Sequence, residues 1–239
     1  MTKTKKYLSF KYQICGPKDR NYIKIVGFDN STKHPVIPSH IEGFPVRTLG
    51  FALFAHRDIE SVQMPDTLTK ISPQAFAGCD SLKEISFPDS LKEIGYEVCC
   101  SCKHLEKVKW SKSAPIIYSS AFHFCNELKD ITDIDSVEQI SKNAFCKTGF
   151  TSFKIPPKLK RILYFAFSDC HNLKVFKMTH LPEMYPDVFW NSENVQIKCG
   201  GNESVKEWAK TEHMPIVESK LDEFLADIDI KKENENREK

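Results

Sequence analysis

The chain has 239 residues, 41% of them hydrophobic and 28% charged, with 34 Lys and Arg set against 32 Asp and Glu. That is enough apolar material for a sizeable core, and the near balance of charge gives no reason to expect a nucleic-acid partner. No apolar run approaches the ~18 residues of a membrane-spanning helix, so no membrane segment is expected.

The basic opening from Met1 to Lys6 has the start of a secretion signal but no apolar centre, because Ser9, Lys11 and Gln13 alternate with Leu8, Phe10, Tyr12 and Ile14. A cytoplasmic location is therefore the expectation for the chain as given. A surface or secreted location would require a leader already removed or non-classical export. The alternation itself predicts a strand over Leu8 to Ile14. A second strand over Tyr22 to Phe28 follows the turn-rich Gly16-Pro17-Lys18-Asp19.

From Leu49 onward one phrase recurs about every 23 residues. An aliphatic residue opens successive copies at Leu49, Ile71, Ile94, Ile117, Ile140, Ile162 and Met184. An aromatic slot follows at Phe54, Phe76, Phe122, Phe145, Phe167 and Phe189, with Cys99 filling the one gap. A leucine slot reads Ile59, Leu82, Leu105, Leu128, Phe150, Leu173 and Val195. A unit this short cannot enclose its own apolar face, so neighbours must stack and share one core. Residues such as Leu82 to Phe87 alternate as a strand that Pro88 ends, and equivalent strands are expected to lie parallel on one face. The stretch Pro73 to Phe76 has room for one helical or 3₁₀ turn that drives its aromatic ring inward. The copy around Ile131 to Ile134 is irregular. Asp133 falls on an inward position, so a shift of Ile134 or a local bulge is expected there.

Cys79, Cys102, Cys125 and Cys170, four of the nine cysteines, share one slot a few residues after the aromatic position. They are expected as a buried column of reduced thiols. Cys99, Cys100, Cys102 and His104 have the C-x-x-C spacing of a zinc site. Two of them coincide with core slots, however, and no second clustered pair follows, so no metal is expected. Asp, Glu and His nowhere cluster as a catalytic set and no phosphate-cradling loop is present, so neither an enzyme nor a cofactor is expected.

Stacking the strand positions gives the columns of the exposed face. Glu60, Lys83, Glu106 and Lys129 alternate in sign, and so do Glu84, Lys107 and Asp130, as a self-neutralised ladder would. The column Gln63, Ser86, Lys109, Thr132, Lys154 and Lys177 carries three lysines with no acid in the column. Lys109, Lys154 and Lys177, with Lys107 and Thr132, are the candidate residues for contacting an acidic protein partner. Beyond the repeats, Val205, Trp208 and Ala209 share a helical face suited to covering the last copy. Leu221, Phe224, Leu225 and Ile228 have the spacing of an acidic amphipathic helix, either a further lid or a docking motif, and Lys231 to Lys239 read as a polar disordered tail.

These residues resemble the BspA-type leucine-rich repeat family. Its motif, I-G-x-x-A-F-x-x-C-x-x-L-x-x-I-x-I-P-x-S-L, is matched by Ile71 to Leu91 and by Ile94-Gly95 through Leu105. Val36 to Val46 resembles the family's lead-in, and Cys199 to Ala209 its terminal cap, so the likeness covers roughly residues 5 to 217. The resemblance implies an α/β fold: a right-handed leucine-rich solenoid with a concave parallel sheet, about seven repeats of 22–23 residues and two caps. The expected divisions are 1–48 for the N-terminal cap and lead-in, 49–199 for the repeats, 200–217 for the C-terminal cap and 218–239 for the helix and tail. The function implied is a monomeric, non-enzymatic scaffold that binds a protein through the concave sheet. A surface or secreted adhesin-like factor that meets a host is the alternative.

Overall fold

Residues 3–217 are described by a computed structural model, in which the repeated phrase becomes a solenoid of about eight stacked turns. The chain enters through an antiparallel meander of β1 (Lys5–Tyr7), β2 (Phe10–Cys15) and β3 (Tyr22–Phe28). Alternation places Phe10, Tyr12, Ile23, Ile25 and Phe28 on the buried side, where they cover the first coil. Leu8, read from the sequence as part of the first strand, instead lies exposed in the β1–β2 turn at φ 50°. The Tyr12 hydroxyl donates to Glu42 Oε1 at 2.7 Å, and Lys5 Nζ meets Glu42 Oε2 at 2.7 Å, so the meander is tied to the lead-in. β3 then pairs in parallel with β5 (Phe44–Leu49), which also takes β4 (His40–Ile41) antiparallel on its own chain.

Each later coil contributes two strands. The opening slot forms two-residue strands: β6 (Lys70–Ile71), β8 (Glu93–Ile94), β10 (Ile116–Ile117), β12 (Gln139–Ile140), β14 (Arg161–Ile162) and β16 (Glu183–Met184). The segment after the leucine slot forms three-residue strands: β7 (Glu84–Ser86), β9 (Lys107–Lys109), β11 (Asp130–Thr132), β13 (Ser152–Lys154), β15 (Val175–Lys177) and β17 (Gln196–Lys198). Both sets are parallel ladders, and each has one gap. The short-strand ladder runs β5-β6-β8 and resumes as β10-β12-β14-β16. Pro115 stands at this gap, at the position where Lys92, Glu138 and Lys160 each donate an N–H to the preceding coil. Proline has no such donor. Pro182 occupies the same position three coils on without a gap, because the N–H of Glu183 still reaches the Lys160 carbonyl at 2.8 Å.

On the remaining side the coils make tight turns, and these form a third ladder. Gln74, Phe76 and Gly78 donate to the carbonyls of Tyr96, Val98 and Cys100 in the next coil, and Glu97, Cys99 and Ser101 donate to Ser119, Ala121 and His123. Such alternate donation needs a backbone whose φ changes sign. Every coil supplies it at two fixed places, with left-handed φ at Gln74 and Gly78, Glu97 and Ser101, Ser120 and Phe124, and Asn143 and Lys147. A left-handed residue every few positions also stops a helix from propagating. The class is therefore mostly β rather than α/β, and the one helix among the described residues is α1 (Glu203–Thr211) in the C-terminal cap. Asn202 opens α1 by accepting the Val205 N–H at 3.1 Å, while Val205 and Ala209 are buried against the last coil. β18 (Ile216–Val217) then adds to β17 in parallel. The amphipathic pattern at Leu221 to Ile228 lies outside the described residues.

The aromatic slot stacks as a column within the core. Phe54 and Phe76 lie 5.2 Å apart, Phe122 and Phe145 5.6 Å, and Phe145 and Phe167 5.2 Å, all with near-parallel rings. At the gap, Cys99 leaves space that the same coil fills from another slot. Trp110 is fully buried, lies between Phe87 at 5.4 Å and Phe122 at 5.8 Å, and donates its indole N–H to the Ala114 carbonyl at 3.0 Å. Cutting Phe76 or Phe122 back to Ala should cost about 3–5 kcal/mol in denaturant unfolding, through lost burial and an unfilled cavity. A cost below about 1 kcal/mol would mean that the aromatic column does not hold the coils together.

Candidate functional site

The cysteine column is structural, and its geometry explains why a thiol recurs there. Cys79 Sγ donates to the Phe54 carbonyl at 3.0 Å, Cys102 to Phe76 at 3.0 Å, Cys125 to Cys99 at 3.0 Å and Cys170 to Phe145 at 3.1 Å. Each thiol thus satisfies the buried carbonyl of the aromatic slot one coil earlier. Ser192 takes the slot in the last repeat and makes the same bond, to Phe167 at 2.8 Å. Thr148, in the same slot, turns back to its own coil and donates to Phe145 at 2.8 Å. After the first copy, where Arg57 stands, the slot carries a small side chain that can donate, a rule that the cysteines alone did not disclose. Cys102 is buried in this column and Cys99 in the aromatic slot, while His104 lies exposed and paired with Glu127 at 3.0 Å. Among the described residues, no group of three or more His, Cys, Asp or Glu side chains could hold a metal.

Burial pushes the Cys79 thiol up to about 12 and the Cys170 thiol up to about 11, and it holds Cys99 and Cys125 well above the ordinary range. In the unfolded chain these thiols ionise near ~8.5. Above that pH the unfolded chain binds fewer protons than the folded one, so stability is fully present below it and falls as pH climbs towards the folded values. Native protein should therefore lose stability progressively above about pH 8.5. At neutral pH a thiol reagent should label Cys15 and Cys100 before Cys79, Cys125 or Cys170. Rapid native labelling of Cys125 would contradict this burial.

The face formed by the three-residue strands is where the sequence places a partner. Its register sets Glu84, Lys107 and Asp130 side by side, and likewise Ser86, Lys109 and Thr132. Lys154 and Lys177 are opposite one another further along. The five expected residues do not form one continuous patch, because the ladder breaks between β11 and β13. Lys109 is also not uncompensated: Asp133, from outside its column, reaches it at 3.8 Å and reaches Lys112 at 3.8 Å.

Three features of the sequence open the sheet at this point. Asp133 holds the slot that elsewhere carries Phe87, Trp110, Ile155 and Met178, all buried. A carboxylate cannot enter that core. The backbone turns it outward at φ 59°, and Ile134 follows displaced and only partly buried, as the irregular spacing suggested. The next coil has one residue fewer between its aromatic and leucine slots, with Gly149 held so tightly that an added Cβ would lie 2.5 Å from the Asn126 carbonyl. That coil also carries Phe150 and Phe153 in slots that are mostly aliphatic elsewhere, with their rings 5.4 Å apart. The result is a cleft of about 1180 Å³ between β11 and β13. The partly exposed Ile131 and Ile134 give it an apolar floor above the buried Phe150, Phe153 and Ile155, and Lys107, Lys129, Asp130, Thr132 and Lys154 are on its rim. Of the five predicted residues, Lys107, Thr132 and Lys154 border this cleft, whereas Lys109 and Lys177 do not line it.

Comparison with known proteins agrees with this architecture. Residues 47–174 match the BspA type leucine-rich repeat region in six copies. A leucine-rich cell surface protein of Faecalibacterium prausnitzii is similar at 26% identity and a TM-score of 0.58, with 74% of this chain covered. This chain spans 54% of that protein's length. A leucine-rich repeat protein of T. pallidum shares the fold at 22% identity and a TM-score of 0.57, over 90% of this chain and 98% of the other. No curated protein matches the chain. No helix among the described residues is long and apolar enough to cross a membrane. Stacked coils, cysteine column and six matched copies together place the chain in the BspA-type leucine-rich repeat family.

Proposed function

We propose that this protein is a non-enzymatic scaffold that binds a protein partner on the face of its three-residue strands, at the cleft between β11 and β13. The observation that carries this reading is the interruption of an otherwise regular ladder at one place, where an apolar floor is ringed by charged side chains. Repeat proteins present extended faces of this kind to partners. Lys154 makes no ion pair among the described residues and is available to steer an acidic surface. A role outside the cell, in contact with a host, is the second reading. It is supported by the description of the similar Faecalibacterium protein as a cell surface protein.

The test uses the full chain as bait. Proteins captured from a lysate of the source organism, or from host extract for the second reading, should be lost when Thr132→Trp blocks the cleft. With the partner purified, Lys154→Glu should slow association several-fold at low ionic strength while changing stability by less than about 1 kcal/mol. Unchanged capture by Thr132→Trp, together with an unchanged association rate for Lys154→Glu, would remove the cleft from the account.

A further inference from the structure

The cleft is unusual in what its walls expose. In the intact rungs β7–β9, β9–β11 and β13–β15, the residue after the leucine slot accepts two N–H groups from the next coil: Lys83 from Glu106 and Lys107, Glu106 from Lys129 and Asp130, and Thr151 from Lys174 and Val175; in β15–β17, Lys174 accepts one, from Gln196. The residue closing the strand segment donates forward: Phe87 to Lys109, Trp110 to Thr132 and Ile155 to Lys177. Among the described residues the break lacks this whole set. The Lys129 carbonyl and the Asp133 N–H on one wall, and the Thr151 N–H, Ser152 N–H and Lys154 carbonyl on the other, do not make the bonds of their counterparts. Backbone groups at a sheet edge are a template for another strand.

We infer that the cleft binds an extended polypeptide segment of the partner, inserted as a strand between β11 and β13. This deepens the scaffold reading above and rests on it. Both walls run in the same direction, so one extended segment can pair with each of them at once. The volume of about 1180 Å³ exceeds the range of about 300–1,000 Å³ usual for small-molecule sites, and the cleft opens along the face. Alternate side chains of the segment would point down to the partly exposed Ile131 and Ile134. The outward ones would lie beside Asp130 at one end and Lys154 at the other. Opposite charges on adjacent strands stabilise pairing, so the segment is expected to carry a basic residue near Asp130 and an acidic residue near Lys154, with an apolar residue between them.

The experiment selects short random peptides displayed against the immobilised full-length protein. Enriched sequences should show the basic–apolar–acidic pattern and should fail to bind Thr132→Trp. A synthetic copy of the enriched peptide should slow amide hydrogen exchange at Asp133, Thr151 and Ser152. N-methylating either alternate set of its backbone amides should weaken binding at least about tenfold, because each set faces one wall. Peptides that bind with equal affinity after both methylations, or that leave those three amides unprotected, overturn the inserted strand. So does capture of a folded partner, sensitive to Thr132→Trp, when no peptide is enriched; in that case the scaffold reading survives and the strand does not. If neither peptide nor partner depends on the cleft, both readings fall.

Discussion

A coil of about 23 residues has no inside of its own, and every feature of this protein follows from the need to borrow one from its neighbours. The loan is made through three ladders of backbone hydrogen bonds, on the short strands, on the longer strands and on the turns. Between them the aromatic rings and small donor side chains of successive coils meet at fixed heights. Because the support is threefold, one ladder can open without separating the coils. Between the coils of β11 and β13 the turn ladder continues, with Phe122 bonded to Ala144 at 2.9 Å, and β12 still pairs with both β10 and β14. A cleft can therefore sit in the middle of the solenoid, held by the two ladders that remain.

Much of this was legible in the sequence, for a physical reason. Inward positions in a stacked coil face the same environment in every copy, so selection for packing prints the same residue types at the same spacing. Ile71, Phe76, Cys79 and Leu82 announced their burial in this way, and all four are fully buried. The compensation between Cys99 and Trp110 was harder to see. A missing ring and an extra one lie in different slots of the same coil, and only packing brings them together. The turns were read as one helical turn because a left-handed backbone leaves little trace in the residue types. Phe124, Lys147 and Asn143 all adopt positive φ, and Gly78 is the one glycine among these turn positions.

The candidate site shows the same limit more sharply. The columns of exposed residues include Lys107, Thr132 and Lys154, which border the cleft, and Asp133 marked the irregular copy. What spacing could not show is that Asp133 leaves the core, takes Lys109 and Lys112 as partners and opens the sheet with the help of Phe150 and Phe153. Exposed charge on the remaining face is dealt with largely between coils, in pairs such as Lys70–Glu93 at 2.7 Å and Lys160–Glu138 at 2.7 Å. Each such exposed pair contributes little to stability but keeps neighbouring coils in register without favouring self-association. Function, on this account, lies where the repeat fails to repeat.

The break itself can be measured by paired cysteine substitutions. Lys109 and Thr132 are register partners on adjacent parallel strands, within the Cα separation of about 4.4–6.8 Å that a disulfide spans. Thr132 and Lys154 occupy the same positions across the cleft. Under mild oxidation Lys109→Cys with Thr132→Cys should cross-link readily, whereas Thr132→Cys with Lys154→Cys should stay reduced in the folded protein. Equal cross-linking of the two pairs would mean that the sheet runs unbroken through these coils and that there is no cleft to bind a partner.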